Sequence, residues 1–541
     1  MFLFSNSIFF AQKINLEIIS KTEIENTVFQ KIKFDKKHTD STSIHLEIVK
    51  ISNYLKKMGY FTHTIDSIKR TEKVQSIYIT LNSKIDKAII NLNTNDHFIF
   101  PNYKKENNAI TIPIDQLQNL LSEASLQLDK EGKSFSKVTL TNIYISKDNL
   151  FANLEIEASE KRIINKVVIK GYENFPKSLL KNYFKIKPKT IFNQKKIKEI
   201  SDASKELTFI GEIKPPEILF TKDSTLLYLY LQKKQNNSFD GLINFASKEN
   251  GKLNFNGTID LKLQNILDSA EKFELFWNRI GDERQELKLL TEIPYIFNSN
   301  LTPEITFSIY KQDSTFLNTS FKSKLKYTIT KKLKLGISYD SEISSELQKI
   351  EIENNIDSFR STFLGFHLFY QEPKYDTFFN NKFYLEINPF IGLRTSNNQK
   401  TNQFKINTII SYIYDLNNRN SIYIKNETGY LNSDNFLNNE LFRIGGANSI
   451  RGFNEQSIFT SNYTFFNIEY RFLTSNKSYI YSITDIGRIY DNYKNLLSLG
   501  LGYNFIKNAN QININLVIQQ NTTNTILINE AKLTVGWKNT F

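Results

Sequence analysis

The stretch Arg443–Phe453, RIGGANSIRGF, holds a glycine pair, Gly445 and Gly446, followed by one arginine, Arg451, set between Ile450 and Gly452-Phe453. A guanidinium is a planar fork of donors with no acceptor, so where it loses hydration it needs a carboxylate in matching geometry. Gly452 lets the chain turn without a β-carbon, and Phe453 offers a ring to wedge against a wall. The glycine pair is not a phosphate loop, since no lysine, serine or threonine follows in the required order and no helical pattern begins there. Metal chemistry finds no support either. The chain has no cysteine, and its five histidines are scattered without paired spacing, so no metal, no cofactor and no enzymatic centre are expected.

The rest of the composition points to a folded chain of several domains: 541 residues, 40% hydrophobic and 13% aromatic. The net charge of +13 would suit nucleic acid or an anionic membrane surface. Lysine, however, is spread along the whole sequence without a compact basic face, and nucleic acid is not an expected partner. No window of about 18 consecutive apolar residues exists, so no spanning helix is expected. A closed β-barrel remains open, because its strands reveal themselves only by alternation. Residues 1–12, MFLFSNSIFFAQ, look like the apolar core and small-residue end of a secretory signal without its basic start. Cleavage is expected near Ala11 or Gln12.

Two grammars divide the chain. Up to about Gln235, an L-x3-G form ends three helical patterns, at Leu55–Gly59, Leu128–Gly132 and Leu207–Gly211. Ile44, Ile48, Ile51 and Leu55 share one helical face, as do Leu117, Leu121, Ala124 and Leu128, and then Ile197, Ile200, Ala203 and Leu207. Each glycine is expected to supply the left-handed residue past the last turn. Two strand-like runs follow each one, which makes a β-α-α-β-β unit of about 75 residues repeated three times. The expected domains are 13–85, 86–160 and 161–236.

From 237 to 541 the period changes to two. Leu333, Leu335, Ile337 and Tyr339 alternate with polar partners, as do Leu499, Leu501, Tyr503 and Phe505, and Ile512, Ile514, Leu516 and Ile518. About sixteen such segments fit, near 19 residues per strand and turn, which suits tilted strands of about 10 residues crossing a bilayer. The aromatic runs Phe363–Tyr370 and Tyr479–Tyr481 are expected to be interfacial girdles.

The order of these parts resembles the outer-membrane assembly factor family (BamA/TamA-like), in which POTRA domains precede a sixteen-stranded transmembrane antiparallel barrel. Four stretches carry the likeness: the three α+β units, above all KRIINKVVIKGYENFPKSLLKNYFKIKPKTIFN; the opening strands GKLNFNGTIDLKLQNILDSAEKFELFW; GGANSIRGF; and the last strand KLTVGWKNTF. The resemblance implies that the loop around Arg451 folds back into the barrel. Its arginine would pair there with the acid of a later strand, which is Asp485 in Ile483-Thr-Asp485-Ile-Gly487, with Ile483 where the family commonly has phenylalanine. Glu469 in NIEYRF is a second candidate acceptor. Leu533, Val535, Trp537 and Phe541, on one face with Gly536 among them, would form a C-terminal β-signal and one side of the barrel seam.

The function so implied is assembly, insertion or translocation of outer-membrane proteins, with the seam offered to incoming strands. Three units rather than five or two place the likeness nearer the TamA branch. The barrel would sit in outer-membrane lipid with the leading domains in the periplasm. Partners would be unfolded client proteins and a periplasmic or inner-membrane helper. The alternatives are a two-partner-type secretion pore and a passive porin or receptor.

Overall fold

The computed structural model describes residues 14–71, 73–247, 253–280, 284–348, 355–374, 376–491, 493–520 and 531–541. The signal-like residues 1–12 lie outside them. By compactness the chain forms two units. One is Met1–Lys166 with Lys189–Lys198 and Phe220–Leu226; the other is Val167–Pro188, Glu199–Leu219 and Leu227–Phe541.

The first unit contains two four-stranded mixed sheets. In the leading sheet, Ile14–Ile19 runs parallel to Val74–Thr80, and the helix Ser41–Lys57 covers one face. Asp40 caps that helix by accepting the Ser43 N–H at 2.7 Å, which satisfies one of the free first-turn donors. Ile44, Ile48, Ile51 and Leu55, none more than 7% exposed, reach the core with Leu16 and Ile77. Gly59 (φ +100°) and Gly132 (φ +88°) take the left-handed conformation. The next N–H then returns to the helix, from Tyr60 to Leu55 O at 3.0 Å and from Lys133 to Leu128 O at 2.9 Å.

Three expectations change here. Gly211 is not a helix cap; it lies inside the strand Ile210–Phe220, because the buried pair Phe209 and Ile210 draws the chain straight into the sheet. The second sheet has no first α-helix. Residues 94–99 form a 3-10 turn and Ala109–Pro113 an extra strand paired with Lys87–Asn91, since Pro101 directly after Phe98-Ile99-Phe100 cuts the apolar run too short for a helical stripe. On the helix Leu117–Lys130, the buried line is Leu120, Ala124 and Leu128, with Leu117 and Leu121 at its margins.

The second unit holds a three-stranded sheet formed by Lys166–Lys170, Ile210–Phe220 and Thr225–Lys233, and then a closed barrel of sixteen strands. Each barrel strand pairs antiparallel with the next, from Ser238–Ser247 around to Lys532–Thr540, and the last returns to the first. The outside is apolar: Ile337, Leu364, Ile391, Leu501, Leu516 and Leu533 are 52% to 67% exposed. The inside is polar, with Lys326, Asp340, His367, Arg394, Glu469 and Asp485 buried. That arrangement inverts a water-soluble core and matches a wall bathed in hydrocarbon.

The expected girdles are redistributed by the same alternation. Phe363, Tyr479 and Tyr481 point inward and are buried, while Leu364, Phe366 and Ile480 between them face out. The outward aromatic ring is made instead by Tyr327, Tyr412, Tyr414, Tyr470, Phe472, Tyr503 and Trp537. All seven stand near the ends of strands that run back toward the chain's entrance into the barrel, where amphipathic rings favour a bilayer interface.

Inward aromatics are seated on glycines of the neighbouring strand. Phe390 covers Gly365, Phe363 covers Gly392, Tyr463 covers Gly429 and Tyr481 covers Gly502, each opposite its partner in register. A β-carbon at Gly429 or Gly502 would overlap the ring. Gly502→Val is therefore expected to destabilise the barrel by about 1–3 kcal/mol through overpacking. Loss of the heat-resistant folded band at a lower temperature on unheated gels would report it; an unchanged unfolding temperature would argue against the joint.

Candidate functional site

The longest described inter-strand connection, residues 434–461, joins the eleventh barrel strand, Asn420–Ser433, to the twelfth, Asn462–Ser475. It leaves and returns as a short hairpin, Phe442–Ile444 against Ile458–Thr460, and its tip lies within the lumen. There the Arg451 Nε and Nη2 donate to the two Asp485 oxygens at 2.9 and 2.6 Å, and the Arg451 backbone N–H donates to Asp485 Oδ2 at 2.8 Å. Arg451 Nη1 donates to Glu469 Oε1 at 2.5 Å. Glu469 also accepts from Arg471, whose Nη2 stands 2.7 Å from Oε2.

Asp485 is fully buried and Glu469 nearly so. Two carboxylates and two guanidiniums thus balance in a site where an unpaired charge would be costly. Strand alternation explains the convergence. Glu469 and Arg471, two apart on the twelfth strand, and Asp485 and Gly487 on the thirteenth, Ser478–Ile489, all point inward.

Apolar packing seats the same tip. Ile450, 0% exposed, joins Ile444, Tyr463, Phe465, Ile489 and Leu496, with Phe453 at the cluster's edge. Gly487 makes room for it: a β-carbon there would lie 3.0 Å from Ile450 Cδ1. Gly452 (φ +87°) brings the backbone so close to the wall that a β-carbon would meet Ser498 and Val517 at 3.1 Å. Gly445 and Gly446 also have positive φ, and a β-carbon on Gly446 would overlap the Glu455 carboxylate.

Several anchors had no sequence signal. Arg394 on the ninth barrel strand pairs with Glu440 in the loop's first turn, both nearly buried. Asn439, 0% exposed, donates to Ser344 Oγ and Asp357 O at 2.7 Å each. Across the lumen, Arg284 donates to Glu455 O at 2.7 Å and Gln456 to Glu286 at 2.6 Å. The loop is thereby fixed to opposite walls. Beside it remains a cavity of about 710 Å³ lined by Glu286, Lys322, Glu342, Lys405 and Arg443 among others. Below the ion cluster, Phe378 and Phe379, in the turn after the eighth barrel strand, pack against Tyr479 at 4.8 and 5.3 Å. Arg471 lies over Phe379. These pairs follow from closure of the barrel, which joins residues 46 to 171 positions apart.

At the entrance end, Tyr172 of the third α+β region is clasped by the turn between the second and third barrel strands. Its hydroxyl donates to Asp268 at 2.9 Å and accepts from Asn265, 0% exposed, at 2.5 Å. Burial pushes that hydroxyl up to about 12, so it stays a donor at neutral pH.

The seam differs from the rest of the wall. The first barrel strand makes ten register pairs with the second but five with the last, from Ser238–Thr540 to Leu242–Gly536. Among the described residues, 243–247 have no partner on the seam side. Leu533, Val535, Trp537 and Phe541 all face out, 41% to 60% exposed, and Phe239 meets Trp537 edge-on at 5.9 Å. Gly536 pairs in regular register on both sides.

The chain is a sixteen-stranded barrel protein with an α+β POTRA region before it. Residues 162–227 match the family model described as "POTRA: Surface antigen variable number repeat". Among solved structures, the chain is similar to CdiB from Acinetobacter baumannii (14% identity, TM-score 0.54) and CdiB from Escherichia coli (12%, 0.54). Each match covers 91% of this chain and 96% of the other. It is also similar to BamA from Haemophilus ducreyi lacking POTRA domains 1–3, at 14% identity, 84% and 98% coverage and a TM-score of 0.49. No curated protein matches by sequence. At these identities the likeness establishes the fold.

Removing Asp485 leaves Arg451 only Glu469, which Arg471 shares. Asp485→Ala is expected to destabilise the seated tip by about 3–5 kcal/mol and to expose the bond after Arg451 to trypsin in the otherwise folded barrel. Equal resistance in wild type and variant would show that the tip is held by other contacts.

Proposed function

We propose that this protein is an outer-membrane assembly or translocation factor whose seam accepts client strands, with its leading domains in the periplasm. The observation that carries this reading is the contrast between five register pairs at the seam and eight to fourteen at every other junction of the wall. A closed sheet has no free edge, and it can offer one without breaking its chain only where the first and last strands meet. Parting five pairs exposes backbone donors and acceptors that an incoming strand can satisfy by β-augmentation. Burial of the client's apolar face in lipid supplies the driving force, about 25 cal/mol per Å², so no nucleotide is required.

The arginine-centred loop acts as a latch in this scheme. It fills the lumen while the wall opens sideways, which separates lateral insertion from leakage. The POTRA region and the sheets before it would gather unfolded clients or dock a helper protein through their exposed sheet edges. The BamA/TamA-like resemblance supports the same assignment, and the three leading α+β units favour its TamA branch.

The test is to lock the seam. The native chain has no cysteine, so Ser238→Cys with Thr540→Cys, directly opposed in register, introduces a single possible disulfide. Oxidised protein should lose client insertion in proteoliposomes and regain it on reduction. Full insertion with the seam locked would refute the proposal. Depletion in cells followed by an inventory of outer-membrane proteins separates the branches: a broad loss marks general assembly, and loss of one exported protein marks dedicated secretion. In planar bilayers, low conductance is expected from the plugged lumen, and a large steady conductance would mark a porin.

A further inference from the structure

The inner face of the seam carries one opposed pair of unlike charges. Asp240 on the first strand stands directly across from Lys538 on the last. The alternation that turns Trp537 and Phe239 outward turns these two toward the lumen. On its other side, Asp240 faces Asp260 of the second strand, a like charge that destabilises a directly opposed pair. Asp260 already has a cation, because Lys262 on the same strand donates to it at 2.5 Å. Lys538 in turn has only the neutral Gln511 opposite it on the fifteenth strand. Within the sheet register, Asp240 and Lys538 are thus each other's directly opposed counter-charge, and with five pairs in all this contact is one-fifth of the registered seam.

Taking the seam-insertion reading as its basis, we infer that Asp240 is a specificity determinant for clients: it selects a strand with a basic residue three positions before an aromatic. The template is this chain's own last strand, in which Lys538 precedes Phe541 by three. A client that replaces that strand beside Ser238–Leu242 in the same register brings its own residue opposite Asp240. Lysine or arginine there restores the pair. A carboxylate meets both Asp240 and, one strand further, Asp260. Register is fixed at the same time, because a slip of one residue would turn the basic side chain toward lipid and Trp537's counterpart toward the lumen.

The determinant is tested with full-length protein in liposomes carrying Ser238→Cys as its single cysteine. The probe is a peptide of residues 531–541, AKLTVGWKNTF, with Thr540→Cys. It is compared with a second peptide that also carries Lys538→Glu and with a scrambled control. Disulfide capture of the first peptide should exceed that of the second by about two- to fivefold, the range of a cross-strand charge pair. In protein that also carries Asp240→Lys the preference should reverse; Asp240→Asn, which alters the fold least, should abolish it. Equal capture of both peptides by all three proteins would overturn the charge selection and leave seam insertion standing. Capture no better than the scrambled control would overturn both.

Discussion

A guanidinium removed from water must be given its counter-charges, and that constraint organises the barrel's interior. Arg451 reaches Asp485 with two side-chain donors and its own backbone N–H, and reaches Glu469 with a third side-chain donor. Arg471 neutralises what Glu469 has left. Because Asp485 is buried on the wall, the loop cannot leave without stranding it. The apolar seat of Ile450 in the space left by Gly487 adds shape to charge. The lumen is therefore crossed by a fixed strut, tied on its far side through Arg284, Glu286 and the Arg394–Glu440 pair.

With the interior fixed, the wall's weakness is confined to one line. Aromatic rings set over Gly365, Gly392, Gly429 and Gly502 interlock the eighth strand with the ninth, the eleventh with the twelfth and the thirteenth with the fourteenth. At the seam, pairing stops at Leu242 and Gly536. On the proposed insertion reading, interlocked staves elsewhere and a junction of five pairs at the seam leave one line along which the wall opens. The proposed insertion needs that asymmetry more than any single residue.

Much of this was legible in the sequence because it is local or periodic. Alternation along Leu333–Tyr339 and Leu499–Phe505 marked strands and faces, and helical spacing of Ile44, Ile48, Ile51 and Leu55 marked a core stripe. Asp485 was reached through resemblance, since no local rule joins residues 34 apart. Arg394, Glu440 and Arg284 were missed for the same reason: their partners meet only when the sheet closes. The aromatic girdle was misplaced where clusters were counted without regard to alternation, which sends Tyr479 and Tyr481 inward and Ile480 out. The second sheet's missing helix reflects Pro101, which ends the apolar run Phe98-Ile99-Phe100 before a helical face can form.

The central claim is that resistance to opening is unequal around the wall and lowest where its two terminal strands join. Hydrogen exchange of backbone amides, measured on the intact protein in lipid bilayers, tests this most directly. The account predicts that amides of residues 238–242 and 536–540 exchange well before those of the interlocked strands from Phe359 to Ser433. Uniform protection around the whole barrel would contradict it.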